Sequence, residues 1–401
     1  MMKVYLDNAA TTPLRKEVLE AMLPFLTQHF GNPSSLHAWG QKAREAVENA
    51  REKVAQVLNC SPAEIYFTGT TTTSANIALQ GVAKARKNEG CHLITTPIEH
   101  HAVLEVFQAL AAEQNFKLSL MQVDQFGMVK PDDLDKLVSQ ETILISVMFA
   151  NNEVGTVEPI AELGRKIESL NQKRKHFPRI YFHVDAATVA EYIKLDLQKL
   201  KIDLLTLGSH KFHGPKGNGI LFVRKGIKIK PILFGGHHEH GLWPGTEDVA
   251  GIVGTAKALE IAQKEVQKVS PLVVILRDRL INGVLKNIPK AKLTGHPKFR
   301  LPDIASFTFE GAEGESILLF LDREGIAASS GSACTSGDLK PSHVLLGMGI
   351  PPQIAHSSIR FSLSYETTKN EVDYVIAKLP AIIANIRKMS PYGDDVSQKM
   401  V

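Results

Sequence analysis

A lone cysteine within a run of small and hydroxylated residues is the first feature of this sequence that could do chemistry. Cys334 lies in the stretch SSGSACTSG, residues 329–337, which offers a thiol almost no apolar neighbours. Gly331 and Gly337 give such a stretch conformational freedom. The pattern indicates a pliable loop that carries a nucleophilic sulfur, and a turn cysteine without a chemical role is the alternative.

A lysine and an aspartate suggest a second kind of chemistry. Asp185 ends the apolar run IYFHVD (180–185), and Lys211 follows the next strand-like run. An aldehyde cofactor with a pyridine ring needs an amine for a Schiff base and a carboxylate that keeps the ring nitrogen protonated. His100 is suited to stack on such a ring or to move protons. Because a strand-end aspartate is often a cap and a loop lysine is often only solvated, the interpretation depends on the three residues together.

A hydroxyl-rich stretch, TGTTTTS at residues 68–74, opens a helical pattern. Its backbone N–H groups and hydroxyls could hold a phosphate at the positive end of the helix. Taken alone, the stretch is equally compatible with an ordinary helix cap.

The elements that must position these residues follow a regular order. Between about residues 60 and 225, short β-branched runs alternate with amphipathic stretches, which predicts an α/β fold with a mainly parallel sheet covered by helices. In such sheets the ligand lies beyond the carboxyl ends of the strands, where the polar residues cluster. The predicted strands are 64–69, 92–96, 117–123, 142–150, 180–185, 203–209 and 219–224.

The regular alternation of strand-like and helical stretches does not continue after about residue 250, which predicts a second, smaller α+β domain. Its predicted elements are a long helix at about 252–287, strands at 303–309 and 357–363, and a final helix near 369–388. We predict a large cofactor-binding domain at residues 14–255. Residues 1–13 and 256–401 would form the small domain, which carries the loop of Cys334.

Composition excludes several classes of protein. The 401 residues are 44% hydrophobic and 22% charged, and the net charge of +4 arises from 46 basic and 42 acidic residues with no basic block of the kind that binds nucleic acid. No apolar run approaches the roughly 20 residues needed to span a membrane. Three widely separated cysteines predict neither a disulfide framework nor a metal site. We therefore expect a cytoplasmic protein without a bound metal, nucleic acid or membrane partner.

Short motifs along nearly the whole chain resemble those of cysteine desulfurases of the NifS/IscS type, which belong to the class V aminotransferase family and depend on pyridoxal 5'-phosphate. Each motif alone is weak, but their common order is a strong signal. The resemblance implies the transferase fold of aspartate aminotransferase. The motifs are YLDNAATTP (5–13), FGNPSSLH (30–37), PIEHHAVLE (97–105), ANNEVGT (150–156), HVDA (183–186), SHKFHGPKG (209–217), PGTEDVAGIVG (244–254), SSGSACTSG (329–337) and SIRFSL (358–363).

The resemblance also implies residue roles. Lys211 would bind the cofactor's aldehyde, Asp185 would pair with the protonated ring nitrogen, and His100 would stack on the ring and move protons. Asn152 and Arg360 would bind the substrate carboxylate, for which the planar guanidinium is well suited. The remaining implied contacts to the cofactor come from Thr71, Thr72, Asn152, Thr188, Ser209 and His210, and from Thr246 of the second subunit of a homodimer.

The implied reaction converts L-cysteine to L-alanine and leaves the sulfur as a persulfide on Cys334. A sulfur-acceptor protein, such as an iron–sulfur scaffold, or a thiolation pathway would then receive that sulfur. Two alternatives stay open from the sequence: an enzyme for selenocysteine or a related substrate, and a slow or inactive homologue that serves as a binding partner.

The sequence departs from the family pattern at several positions. Thr188 stands in place of a usual glutamine, and Gly208 stands where a phosphate-binding serine is usual, with Ser209 one residue later. In the stretch GGHHEHGLWPGT (235–246), His240 and Trp243 replace two usual arginines. The neighbouring histidines could be read as a metal site, but consecutive residues seldom converge on one ion. We interpret the stretch as an adapted loop of the dimer interface.

Overall fold

The computed structural model describes residues 2–331 and 341–389. The predicted nucleophile Cys334 therefore lies outside the described residues. The strands are β1 (Val4–Tyr5), β2 (Ile65–Thr68), β3 (His92–Thr95), β4 (Lys117–Leu120), β5 (Thr142–Ser146), β6 (Tyr181–Asp185), β7 (Leu204–Gly208), β8 (Gly219–Val223), β9 (Ala291–Leu293), β10 (Ile304–Phe309), β11 (Ile326–Ala327) and β12 (Ser358–Ser362). The helices are α1 (Lys16–Thr27), α2 (Ala38–Leu58), α3 (Thr71–Arg86), α4 (His101–Gln114), α5 (Leu134–Leu137), α6 (Ile160–Lys173), α7 (Leu197–Leu200), α8 (Val249–Asn287), α9 (Gly314–Arg323), α10 (His343–Gly347), α11 (Pro352–Ala355) and α12 (Lys369–Met389).

Within the described part of the chain, seven strands form the main sheet in the order β2-β8-β7-β6-β5-β3-β4. The β4-β3-β5-β6-β7 pairs are parallel, and β8 runs antiparallel to both of its neighbours. Since β8 separates β2 from β7, all strands except β8 point the same way, so their carboxyl ends meet at one edge. This arrangement confirms the α/β fold with a mainly parallel sheet.

The central strands are buried throughout because helices cover both faces of the sheet. Every residue of β3, β5, β6, β7 and β8 is buried. The predicted strand at 142–150 ends earlier, at Ser146, and the residues that follow form the loop that reaches the carboxyl edge. Sequence hydrophobicity did not mark this end because Val147, Met148 and Phe149 are also buried.

A second hydrophobic core lies around an antiparallel sheet of the order β12-β10-β9, as far as the described residues show. Helices α9 and α12, the C-terminal half of α8 and the N-terminal residues Val4 and Leu6 pack on it. Helix α8 runs without interruption from the first core, at Leu259, to the second, at Leu280. The predicted boundary after residue 255 falls inside this helix, and the division into domains stays a prediction.

The N-terminal segment joins the two cores. Strand β1 pairs in parallel with β11 of the second core. Further along, the Thr12 N–H and hydroxyl both donate to the His210 carbonyl, each at 3.0 Å. These bonds hold residues 8–13 against the loop of Lys211. Among the described residues, no helix is both long enough and apolar enough to cross a membrane.

Candidate active site

A cavity of about 330 Å³ lies at the carboxyl edge of the main sheet, and the N-terminal segment and β12 complete its wall. The residues predicted from the sequence that line it are Thr71, Thr72, His100, Asn152, Asp185, Thr188, His210, Lys211 and Arg360. The fold thus brings together polar side chains that are up to 289 positions apart in the sequence, from Thr71 to Arg360.

Lys211 lies in the loop between β7 and β8, here called the lysine loop, and its amine contacts the N-terminal segment. A short 3-10 turn after β7, Ser209–Lys211, positions the side chain. Its Nζ atom donates hydrogen bonds to the carbonyls of Ala9 and Ala10, at 2.8 Å from the latter. The amine is therefore held at the cavity wall by backbone acceptors.

Asp185 is the buried carboxylate of the site. It is the last residue of β6, and its Oδ1 accepts a hydrogen bond of 3.0 Å from the Ala187 N–H. Burial raises the pKa of Asp185, while the Ala187 N–H and the charge of Lys211 lower it. A cationic ring nitrogen placed in the cavity would favour the ionised carboxylate, so this residue fits the pyridine ring of the implied cofactor.

His100 is held in one tautomer by the start of a helix. It caps α4, and its Nδ1 accepts a hydrogen bond of 3.1 Å from the Ala102 N–H, so the neutral ring carries its proton on Nε2. Burial, with a smaller effect of the Lys211 charge, lowers the pKa of His100 to about 4. The imidazole is therefore neutral at physiological pH.

The start of α3 forms the predicted phosphate site. Thr70 caps the helix, because its Oγ1 accepts from the Thr73 N–H at 3.1 Å. Thr71 and Thr72, the first helical residues, line the cavity beside the positive end of the helix. His210 completes this part of the wall, and its Nδ1 lies 3.1 Å from the Thr11 Oγ1.

Ser209 does not line the cavity as the structure describes it. Its side chain is fully buried, and its Oγ accepts a hydrogen bond of 3.0 Å from the Thr255 hydroxyl on α8. The hydroxyl thus joins the lysine loop to α8 and does not face the phosphate site. The sequence suggested Ser209 only because it is adjacent to the position where a serine is usual.

Arg360, on β12, also lines the cavity. Its Nη1 donates to the Asn152 carbonyl and its Nη2 to the Asp7 Oδ1, both at 2.9 Å. Its Nε is buried and has no hydrogen-bond partner among the described residues. A guanidinium at the wall of the cavity is suited to bind an anion such as a carboxylate. The Thr188 hydroxyl, which also lines the cavity, donates a long hydrogen bond of 3.4 Å to the Ala150 carbonyl.

The altered loop at residues 235–246 is anchored by a buried ion pair that sequence reasoning missed. Glu239, at a positive φ of 47°, receives two hydrogen bonds from Arg51, at 2.7 and 2.8 Å, and a third from the Phe67 N–H at 2.9 Å. Its carboxylate is thus bound to a cation and to β2, which leads into the phosphate site. Thr246, in the same loop, is exposed and does not line the described cavity wall.

The two cysteines within the described ranges, Cys60 and Cys91, are free thiols. Burial raises the pKa of Cys60 to about 12, so this thiol is not ionised at neutral pH. Neither residue lines the cavity. Among the described residues, no cysteine lines this cavity.

Comparison with known proteins gives a consistent result. The family model described as Aminotransferase class-V matches residues 4–375. "Cysteine desulfurase IscS" of Methanosarcina thermophila is 49% identical over 388 residues, which cover 97% of this chain and 94% of the relative. "Cysteine desulfurase IscS" of Dictyoglomus turgidum is 48% identical over 393 residues, which cover 98% of both chains.

Solved structures agree with these relatives. A structure titled "NIFS-LIKE PROTEIN" is 40% identical, with a TM-score of 0.89 and coverage of 96% of this chain and 100% of the other. A structure titled "SspA in complex with cysteine" is 31% identical, with a TM-score of 0.79 and coverage of 91% of this chain and 100% of the other. The similarity extends through both hydrophobic cores.

Proposed function

Since the chain belongs to the Aminotransferase class-V family, we propose that it acts as a pyridoxal-phosphate-dependent cysteine desulfurase with Lys211, His100 and Cys334 as its catalytic residues. The activity and the cofactor follow from the family and from relatives of nearly full length. The residue roles are our proposal. The observation that supports them best is the single cavity that an amine, a buried carboxylate, a neutral imidazole and a guanidinium share.

Pyridoxal phosphate, when bound, supplies an aldehyde for amines and an aromatic ring that withdraws electrons from the substrate's Cα. Lys211 would hold it through Nζ, and Asp185 would keep its ring nitrogen protonated. Its phosphate would lie at the start of α3, against Thr71, Thr72 and His210. We leave Ser209 out of this set because its hydroxyl is bonded to Thr255.

Two further residues of the cavity wall, Arg360 and His100, would act on the substrate. Arg360, whose Nε lacks a partner among the described residues, would bind the carboxylate of L-cysteine together with Asn152. His100 is neutral, with Nδ1 bonded to the backbone, so any proton that it donates leaves from Nε2. The ring of His100 would also cover the face of the cofactor.

Sulfur transfer then needs a thiolate. Cys334, as a thiolate, would attack the sulfur of L-cysteine, so that a new S–S bond forms as the substrate's C–S bond breaks. The electron pair of the broken bond stays with the substrate carbon, which takes up a proton to give L-alanine. The sum is L-cysteine plus a Cys334 thiol giving L-alanine plus a Cys334 persulfide, and no oxidant is consumed.

A homodimer is part of the proposal. Large apolar side chains at Phe30, Leu36 and Trp39 are exposed, Leu36 by 90%. This stretch lies beside the loop of Thr246, because the Ser34 hydroxyl is 3.4 Å from the His238 Nε2. A second subunit that covers this surface would receive Thr246 at its own phosphate site.

We place the reaction in the cytoplasm, where a reducing environment keeps thiols such as Cys334 available. The sulfur acceptor that we propose is a protein, such as an iron–sulfur scaffold, that takes the persulfide sulfur by thiol exchange.

The test of the proposed function is the reaction of the purified holoenzyme with L-cysteine. We expect equal amounts of alanine and transferred sulfur, and we expect Cys334→Ala to abolish sulfide release in the presence of dithiothreitol. Parallel assays with selenocysteine test the alternative substrate. Alanine production from selenocysteine alone would contradict the proposal.

A further inference from the structure

The buried carboxyl group of Glu153 contacts residues on both sides of the segment that carries Cys334. Its Oε2 accepts a hydrogen bond from the Ser342 hydroxyl. A Cβ atom on Gly331 would lie only 3.0 Å from the same Oε2, so a larger residue at 331 would press the carboxyl group back by a few tenths of an ångström. One side chain that is 8% exposed thus meets the chain just before and just after residues 332–340.

The backbone at Glu153 is fixed by its neighbour Asn151. The N–H groups of Glu153 and Val154 donate to the Asn151 Oδ1 at 2.9 and 3.0 Å. The Asn151 amide in turn donates to the Ile98 carbonyl at 3.0 Å. The direction of the Glu153 side chain is therefore set by the core and not by solvent.

The residues next to Glu153 and Gly331 also contact Arg360, in the proposed binding site of the substrate carboxylate. The backbones of Ser329 and Arg360 exchange hydrogen bonds of 3.1 and 2.7 Å. Asn152, which precedes Glu153, accepts from the Arg360 Nη1. A Cβ atom on Gly331 would also lie 3.1 Å from the Ser358 hydroxyl, on the same strand as Arg360.

We propose that Glu153 is a positioning residue for sulfur transfer, which fixes the two ends of the Cys334 segment relative to Asn152 and Arg360. This inference rests on the proposed function. A segment whose ends are held beside the substrate site brings its thiol to the substrate's sulfur at a higher effective concentration than one whose ends are loose. Glu153 itself does not line the described wall of the cavity.

The charge of Glu153 agrees with this role. Burial raises the pKa of Glu153 to about 7, while the Ser342 hydroxyl and the charge of Arg360 lower it. Both partners therefore favour the ionised carboxylate over the neutral carboxyl group. The ionised carboxylate accepts a stronger hydrogen bond from the Ser342 hydroxyl than the neutral group does.

The experiment compares holoenzymes of the full chain that carry Glu153→Gln, Ser342→Ala, or both. Two rates are measured after mixing with L-cysteine: the change in near-visible absorbance of the cofactor, and the appearance of a persulfide on Cys334 by alkylation and mass spectrometry. The first step precedes the action of the thiol, and the second requires it.

We expect the absorbance change to keep its wild-type rate and persulfide formation to slow by about tenfold in each single variant. Because both substitutions act on the same hydrogen bond, Glu153→Gln by removing the charge of its acceptor and Ser342→Ala by removing its donor, the double variant is no slower than the slower single variant. Glu158→Gln is the matched control. Glu158 is also buried, with a pKa raised to about 8 by burial, but it bonds to the Val129 N–H, and its substitution leaves both rates unchanged.

Two results would overturn the inference. One is an unchanged rate of persulfide formation in both Glu153→Gln and Ser342→Ala. The other is an equal slowing of both steps, which would show that Glu153 supports the whole site and not sulfur transfer. If Glu153→Gln fails to bind the cofactor, Ser342→Ala alone decides between these results. Failure of the wild-type enzyme to form any persulfide would instead refute the proposed function and the inference with it.

Discussion

A Cβ atom on residue 208 would lie 2.2 Å from the Oγ1 of Thr71, so Gly208 and Thr71 fit together only because residue 208 has no side chain. Cysteine desulfurases usually have a serine at this position. Here the Thr71 hydroxyl occupies the space that such a serine would take. The usual serine is thus absent at position 208, and the hydroxyl of Thr71, the first residue of α3, fills the same space.

Restoring the usual serine should therefore weaken cofactor binding. In Gly208→Ser, the new side chain displaces Thr71 from the proposed phosphate site, and we expect the affinity for pyridoxal phosphate to fall by roughly tenfold. Titration of the apoprotein, followed by near-visible absorbance, measures it. Adding Thr71→Ala should recover part of the loss, since it removes the clash, and an undiminished affinity in the single variant would contradict this account.

Arg360 gives a prediction for substrate binding. Arg360→Lys removes the planar guanidinium, so we expect the KM for L-cysteine to rise by roughly tenfold or more while the cofactor's absorbance band is retained. Steady-state alanine production measures the change. The exposed Arg279→Lys, which pairs with Asp373 on the surface, serves as the control and should leave KM unaltered. An unchanged KM in Arg360→Lys would remove this residue from the substrate site.

The ion pair between Arg51 and Glu239 gives a prediction for stability. Both side chains are buried, with 7% and 2% exposure, so Glu239→Gln removes the buried carboxylate and leaves the Arg51 charge only the exposed Glu48 as an ion-pair partner among the described residues, which costs about 3–5 kcal/mol of unfolding free energy. Denaturant unfolding measures the loss. Glu48→Gln also removes a partner of Arg51 but at a site 55% exposed, and its cost should stay below about 1 kcal/mol. Similar costs for the two variants would contradict the anchoring role of Glu239.

His183 gives a prediction for pH dependence. Its Nδ1 lies 2.7 Å from the Ser146 hydroxyl, and burial lowers its pKa from 6.5 to about 3. Between these values the unfolded chain binds a proton that the folded chain does not, so stability is lost as the pH falls below 6.5. At pH 5 the loss from this residue is about 2 kcal/mol relative to neutral pH.

The measurement is the unfolding free energy at pH 7 and pH 5 for the wild type and for His183→Gln. The variant should lose about 2 kcal/mol less than the wild type over this interval. Contributions of other histidines are common to both proteins and cancel in the comparison. An equal loss in the two proteins would show that His183 is not kept neutral in the fold.

The sequence predicted the main sheet well because strands buried on both faces are recognisable as short apolar runs. It also predicted that polar residues after such runs lie at the carboxyl edge, and Lys211, Asp185 and His100 do line the cavity there, while their roles stay predictions. Both of these predictions depend on local patterns. The end of β5 was missed because the residues after Ser146 remain apolar.

The contacts that the sequence did not predict join distant segments. Asp7 pairs with Arg360 across 353 positions, and Arg51 pairs with Glu239 across 188. Neither pair has a local signal. Ser209 was assigned to the phosphate site by position alone, but the direction of a side chain in a tight turn depends on the helix that packs against it. Its partner, Thr255, lies on α8.

The central claim is that Cys334 receives the sulfur of L-cysteine at a cofactor held by Lys211. The most direct measurement is mass spectrometry of the alkylated holoenzyme after reaction with one equivalent of L-cysteine. Our account predicts one extra sulfur atom on Cys334, one alanine released for each sulfur gained, and neither product in Lys211→Ala. Alanine without sulfur on Cys334, or sulfur found instead on Cys60 or Cys91, would contradict it.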